Sequence, residues 1–552
     1  ASGTNEPLIV EQVRGVAQPI ARSAARAAVT LLTVVVGLLL AIACVNVGNL
    51  LLVRGLARQR ELSVRRALGA SRGRLFRQLL TEAALLALLG GGCGILFAGW
   101  TNQILASLSP ALPAAIALNL NPSIDGRVLS FAAAISVATT LVCGLIPAWR
   151  ISRPDALPGL KGEAPLHSSS RARDAALVAE IAISLALLLA ALTSLRAVWR
   201  IQAIDPGFAT TDRLYAYTYL PADRFTEESG REFYARELDR LRGLPEVRSA
   251  ALTYLLPLSP VETECASLTD DDTIRATMST IDEGFLETMG IPIVAGRDFN
   301  VTDSPGAARV ALVNATLAHR LWPGKSAVGE HMRIGCKEPV VTEVVGVVRD
   351  SKVRSLQDTA QPHLYRPFAQ NYSRLATFVV EARVPPVLMV NTIRRHFQQF
   401  GDSVRVYTVQ PLADHLERSY WGVRWATRAL GLFAIVALGL AIVGLHGVVA
   451  HRVALRTREI GVRLAVGASP RDVLRDVLRQ GLILASVGIA IGEVASAGLS
   501  RLLSTVQPGF VPTDMATFIA AAGIWIVVTL AACYLPARRA ARVDPVVALR
   551  CE

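Results

Sequence analysis

The sequence predicts a polytopic α-helical membrane protein of about seven spans, built as two three-span units joined by a linking span, with an α+β domain outside the membrane. Three observations carry that expectation. The 552 residues are 52% hydrophobic and only 18% charged, with a mean hydropathy of +0.40, too apolar for an ordinary soluble protein of this length. Seven stretches are long and apolar enough to match the roughly 20 residues that a helix needs to cross a bilayer. The arginines collect in the short loops between those stretches.

The apolar runs lie at about 27–53, 78–100, 128–148, 175–199, 427–450, 477–497 and 515–536. Between the first two, Arg54, Arg58, Arg60, Arg65, Arg66, Arg72, Arg74 and Arg77 stand against Glu61 alone, so the positive-inside rule makes this loop cytoplasmic. The same rule puts 149–174, 451–476 and the tail carrying Arg538, Arg539 and Arg542 inside. Seven alternating spans satisfy all four assignments. The net charge of +13 is then mainly topology. A nucleic-acid partner is not expected, because the arginines form no solvent-facing stripe interleaved with aromatics.

In chain order, 1–26 reads as the tail of a domain outside the membrane, with its remainder and an earlier span expected upstream. Residues 27–150 form the first three-span unit, 151–174 a cytoplasmic linker and 175–199 the linking span. The outside domain, 200–423, shows two β-α-β patterns. RLYAYTYL, EESGREFYARELDRL and VRSAALTYLL make one; LATFVVEA, LMVNTIRRHFQQF and SVRVYTV make the other. They predict a ferredoxin-like layer interrupted by an inserted lobe at about 256–370, which holds RVALVNATLAHRLW and the apolar strand VTEVVGVV. Residues 424–552 complete the second three-span unit.

The chain repeats itself across these units. RQRELSVRRALGAS at 58–71 returns as RTREIGVRLAVGAS at 456–469, 398 positions later. Arg58, Arg60, Glu61, Arg65, Gly69 and Ser71 are matched by Arg456, Arg458, Glu459, Arg463, Gly467 and Ser469, each copy following an apolar run. The pattern predicts a short helix with apolar and basic faces at the cytoplasmic interface, stopped at the glycine. Ser469, Pro470 and Asp472 are a capping-box-like start for the next helix. Read from Arg72 to Trp100, the helix after the first copy would reach about 43 Å, beyond the roughly 30 Å of hydrocarbon, so a stalk should protrude into the cytoplasm. An anionic-lipid anchor accounts for the basic residues. It does not account for Glu61 and Glu459 at matched positions, or for the repeated Gly-Ala-Ser turn, whereas a docking helix for a cytoplasmic partner accounts for both.

Enzymatic chemistry finds little support. PGKS at 323–326 has His319 where a phosphate-binding loop needs its first glycine. The eight histidines form no HxxxH or HExxH pair, there is no GxSxG elbow, and Asp270, Asp271 and Asp272 read as a solvated run. No metal is expected. Within the spans, Glu180, Glu493 and His446 lie near the ends, where snorkelling or a helix contact is the expectation. Asn46 and Asn49 are expected to hydrogen-bond to a neighbouring helix. Cys44, Cys93, Cys143 and Cys533 read as packing residues. Cys265 and Cys336 share the outside domain, where a disulfide is permitted and two free thiols are the alternative.

The stretch IACVNVGNLLLVRGLARQRELSVRRALGASRGRLFRQLLTEAALLALLGG and its second copy resemble FtsX/MacB-type ABC transporter permeases. The arrangement of the whole chain resembles their duplicated two-permease form, known from acidobacterial and related genomes, without its N-terminal part. FLETMGIPIVAGRDF, ARVALVNATLAHRLWPGKSAVGEHMRI and VTEVVGVVRD are similar to the MacB-like periplasmic core domain. The resemblance implies two FtsX-like membrane units in a bacterial inner membrane and a periplasmic domain. It also implies a separate MacB/LolD-like ATPase that binds ATP and Mg, while this chain binds no cofactor. A periplasmic adaptor or outer-membrane channel is a further partner of such systems, beside membrane lipid. The twelve matched residues above are the implied ATPase-coupling element. The implied activity is substrate efflux driven by the partner's ATP hydrolysis; the alternative is non-transporting mechanotransmission to an envelope partner.

Overall fold

A computed structural model describes residues 33–48, 72–108, 166–259, 262–269, 273–506 and 514–542, with isolated positions at 30 and between 126 and 137. Along the chain, helices α1 (Thr33–Gly48), α2 (Arg72–Leu108) and α3 (Leu166–Gln202) precede strand β1 (Arg213–Tyr219), α4 (Glu227–Arg242) and β2 (Val247–Thr253). There follow β3 (Glu262–Ser267), β4 (Ile274–Ile281), α5 (Phe285–Met289), β5 (Ile293–Gly296), β6 (Val310–Asn314), α6 (Ala315–Leu321), β7 (His331–Ile334), β8 (Val340–Val348) and β9 (His363–Pro367). The chain continues through β10 (Leu375–Ala382), α7 (Pro386–Gln398), β11 (Arg405–Pro411), α8 (Leu412–Ser419), α9 (Trp421–Leu455), α10 (Thr457–Ala465), α11 (Pro470–Val506) and α12 (Met515–Ala540). The described residues fall into two compact units, 194–427 and a helical remainder.

In the first unit, β11, β1, β10 and β2 lie side by side, every neighbouring pair antiparallel. With α4 and α7 as crossovers this is the ferredoxin-like strand order. The period of two along each strand sends alternate side chains to opposite faces. Leu214, Ala216, Phe378 and Val380 meet Phe233, Tyr234, Ile393 and Phe397 of α4 and α7. Tyr215, Ala251 and Val379 meet Phe285, Leu286 and Met289 of α5 on the other side. Thr226 starts α4 in a capping box with Ser229, which satisfies two otherwise unpaired backbone donors.

Between Thr253 and Leu375 the strands close a ring: β4, β3, β7, β8, β6 and β9, with β9 pairing back to β4 in parallel. Closure leaves these strands few open edges. Leu317 and Trp322 fill the interior against Ala276, Val313, Met332 and Val344. β5 approaches β8 so closely that a Cβ on Gly346 would stand 2.5 Å from the Arg297 carbonyl oxygen. PGKS is a turn, Gly324 having φ +76° and the Lys325 amide donating to the Trp322 carbonyl at 3.2 Å. Asp270, Asp271 and Asp272 lie outside the described residues. Cys265, on β3, and Cys336, just after β7, are joined in a disulfide.

Among the described residues, four helices are long and apolar enough to cross a membrane: Asp174–Gln202, Trp421–Leu455, Pro470–Gly498 and Met515–Ala540. Shorter apolar helices cover Thr33–Gly48 and Leu88–Trp100. The expected span at 128–148 and the flanks of the first run lie largely outside the described residues. The packing rests on small residues, as expected where lipid removes the hydrophobic drive between helices. A Cβ on Gly481 would meet Cys533 Sγ at 2.5 Å, and one on Gly492 the Ala182 carbonyl oxygen at 2.9 Å. For Glu180 the structure selects the helix contact over snorkelling to interface water: it is 3% exposed and accepts a hydrogen bond from Asn46 Nδ2 at 2.7 Å. Burial of a carboxyl in an apolar bundle demands such a partner. Asn49 lies outside the described residues.

Candidate functional site

The second copy of the repeated motif forms the joint between two long helices. α9 runs to Leu455, where Arg456 at φ −102° and ψ 9° breaks the helical course. α10 then makes two turns, with Arg458 and Glu459 in its first and Arg463 in its last. Its end is a Schellman motif: the Gly467 amide donates to the Leu464 carbonyl at 3.2 Å and the Ala468 amide to the Arg463 carbonyl at 2.9 Å. That closure requires a left-handed residue, and Gly467 sits at φ +107°, where a side chain would be strained. Ser469 and Asp472 then cap α11 reciprocally: the Asp472 amide donates to Ser469 Oγ at 3.3 Å and the Ser469 amide to Asp472 Oδ2 at 3.1 Å. The joint is therefore specified on both sides of one turn by backbone hydrogen bonds, which makes its angle stiff.

α10 turns one of its two apolar rows into the helical unit. Ile460 is buried against Val473 of α11 and Ala540 of α12, with Val453 and Leu464 beside it. Leu455, Val462 and Val466 are 59%, 44% and 84% exposed. Val462 and Val466 share with Glu459 and Arg463 the row of three- and four-residue spacings that lines one side of a helix, whereas Leu455 ends α9 before the break at Arg456. Glu459 and Arg463 pair at 2.6 Å in that row, and being exposed they remain available to a partner at small energetic cost. A cleft of about 250 Å³ separates the end of α9 from the first turns of α11, lined among others by Arg452, Arg456, Glu459, Asp472 and Asp476. Arg452 also forms an ion pair with Asp174, tying the inner end of α9 to α3.

The structure thus brings Arg456, Arg458, Glu459, Arg463, Gly467 and Ser469 together in one joint. Arg58, Arg60, Glu61, Arg65, Gly69 and Ser71 lie outside the described residues. The helices that follow the two copies are each described over 37 residues, Arg72–Leu108 and Pro470–Val506, about 55 Å at 1.5 Å per residue. Sequence reasoning counted Val462 and Val466 with Ile460 and Leu464 as the apolar residues of one short helix and did not foresee that Ile460 turns inward while Val462 and Val466 stay exposed. Their spacing from Glu459 was the available signal, obscured because Ile460 and Leu464 offer a second apolar row that the sequence ranks equally.

Two other candidates among the described residues are accounted for by local contacts. Glu264, Cys265 and Cys336 have ligand-like proximity, but both sulfurs are committed to each other. Glu264 Oε1 instead accepts the amides of Cys265 at 3.2 Å and Cys336 at 3.1 Å. His446 Nδ1 faces the Ala532 carbonyl at 3.2 Å.

The FtsX-like permease C-terminal family matches residues 33–156 and again 431–545, and the MacB-like periplasmic core domain matches 178–413. The chain is 25% identical over 330 residues to the macrolide export ATP-binding/permease protein MacB of Azoarcus sp. (strain BH72), covering 57% of this chain and 49% of that protein. It is 29% identical over 276 residues to the pyoverdine export ATP-binding/permease protein PvdT of Pseudomonas syringae pv. syringae (strain B728a), covering 47% and 40%. The chain therefore spans less than half the length of these curated relatives. The crystal structure of the periplasmic region of MacB from Actinobacillus actinomycetemcomitans aligns over 40% of this chain and 97% of its own, at 13% identity and a TM-score of 0.28. On the family matches, the chain belongs to the FtsX/MacB-type ABC transporter permeases.

Proposed function

We propose that the chain is the permease subunit of a MacB-like ABC transporter in a bacterial inner membrane, with 194–427 in the periplasm. A separate MacB/LolD-like ATPase binds and hydrolyses ATP with Mg. Its movement enters through α10 and through the matching segment 58–71, and passes along α2 and α11 to drive substrate efflux. The observation that supports the reading is the stiff α10 joint, whose exposed row carries Glu459, Val462, Arg463 and Val466. A lipid anchor needs cations and an apolar face, whereas this row mixes a carboxylate with valines and is backed by a charged cleft. Trp199, Trp421 and Trp425 at the opposite ends of α3 and α9 fit the aromatic belt of the other interface.

The test is reconstitution with the cognate ATPase. Glu61→Lys combined with Glu459→Lys is expected to abolish ATPase co-purification and the stimulation of ATP hydrolysis by the permease. Unchanged stimulation would refute the coupling assignment. The same vesicles separate efflux from mechanotransmission, since only efflux moves a substrate across the bilayer with ATP.

A further inference from the structure

The separation that superposes the two motifs also relates the membrane helices α1 and α9. It maps Val35, Leu39, Ile42 and Asn46 onto Phe433, Ala437, Leu440 and Gly444. The first three matched pairs occupy a single apolar cluster, joined by Leu187 and Ile183 of α3. The fourth pair is in contact too. A Cβ on Gly444 would stand 2.3 Å from Asn46 Oδ1 and 2.8 Å from Glu180 Oε2. The alternating spacing of four and three residues is that of a helix-pair seam. Equivalent positions meeting one another is the signature of a two-fold contact, here made between two segments of one chain.

At the fourth layer the two-fold is broken. Asn46 Nδ2 donates to Glu180 Oε1 at 2.7 Å and to the Leu440 carbonyl at 2.9 Å, and it fits because Gly444 has no side chain. Pairing α9 with the α9 of another copy would set glycine against glycine and leave Glu180 without Asn46. Pairing α1 with another α1 would set asparagine against asparagine, without the glycine that makes room. One polar residue in such a seam fixes partner and alignment, because a pairing that takes Asn46 away leaves the buried Glu180 carboxylate without its donor, and only Gly444 leaves room for the Asn46 side chain. We propose that Asn46, Gly444 and Glu180 select the pairing of the two membrane halves within one chain, so that the working assembly holds a single copy of this chain. The permease reading supplies the name of that assembly, while copy number and pairing are measured without ATPase or substrate.

The experiment co-expresses two differently tagged copies of the full-length protein, carrying Leu39→Cys and Ala437→Cys with the native cysteines other than Cys265 and Cys336 replaced by serine. A short bismaleimide is applied in membranes. The expected result is a cross-linked peptide joining positions 39 and 437 in the band of monomer mass, and no recovery of one tag with the other. Co-recovery of the tags, a cross-linked dimer band, or no cross-link would overturn the proposal. Adding Gly444→Ile should abolish the cross-link. Adding Asn46→Leu, which keeps the apolar layers, should let the second tag co-purify; unchanged tag separation in this variant would overturn the selecting role of Asn46.

Discussion

The two units solve the packing problem in opposite ways. The extramembrane unit fills its core with bulk: Phe233, Tyr234, Phe378 and Phe397 lie together, with Phe378 and Phe397 ring centroids 5.1 Å apart. The helical unit removes bulk: Gly444, Gly481, Gly488 and Gly492 stand where any Cβ would collide with a neighbouring helix. In water, burying aromatic area is itself the driving force. In lipid that drive is absent, and close backbone approach with a few buried hydrogen bonds takes its place. Large-to-small and small-to-large substitutions should therefore exchange their severity between the two units.

The largest effect is expected from Phe378→Ala. The side chain is fully buried between α4, α7 and the sheet, and truncation should cost about 3–5 kcal/mol, read as a lowered denaturation midpoint of the extramembrane unit. A loss below about 1 kcal/mol would break the comparison on this side. Gly488→Leu should come next, at about 1–3 kcal/mol from overpacking, because its Cβ would sit 2.7 Å from Ile181 Cγ2 and 3.2 Å from the Val178 carbonyl oxygen. Its expected readout is a lower thermal midpoint in detergent with the extramembrane unit unchanged. Gly523→Leu, where a Cβ meets nothing within 4 Å, should be nearly silent, and equal damage from both would undo the argument.

A smaller effect is a pH dependence confined to the extramembrane unit. His363 is 1% exposed, hydrogen-bonded through Nδ1 to the Thr277 hydroxyl at 2.7 Å, and burial pushes its pKa down to about 3. A depressed base binds its proton more readily in the unfolded chain. The stability it lends is present above about pH 6.5 and is lost as pH falls from there toward 3. From pH 7 to 5 this amounts to about 2 kcal/mol. Asp282, whose carboxyl is held well above the usual range by burial, acts with the opposite sign, so the difference between wild type and His363→Phe isolates the histidine. Identical slopes for the two proteins would remove it from the account.

What the sequence made legible was local or periodic. The apolar runs of α3, α9, α11 and α12 announce themselves, and so do the α4 pattern and the four alternating strands β1, β2, β10 and β11. The Gly467 stop and the Ser469–Asp472 cap are readable because their partners lie within five residues. The ring of strands was not legible. ETECAS and HMRI are short, and the β4–β9 pairing joins Ile281 to Pro367 across a stretch that holds four other strands. Asn46 was expected to find a helix, but its partner Glu180 is 134 positions away. At α10 the sequence offered two apolar rows. Which one turns inward was decided by Val473 and Ala540, on helices that only folding brings alongside.

That inward and outward assignment is also where the account is most directly tested. A photo-reactive amino acid at Val466, in the outward row, should cross-link the ATPase in intact membranes, and the same group at Ile460 should capture only this chain. Capture of the ATPase from Ile460 and not from Val466, or capture of lipid alone from Val466, would contradict the coupling role of α10.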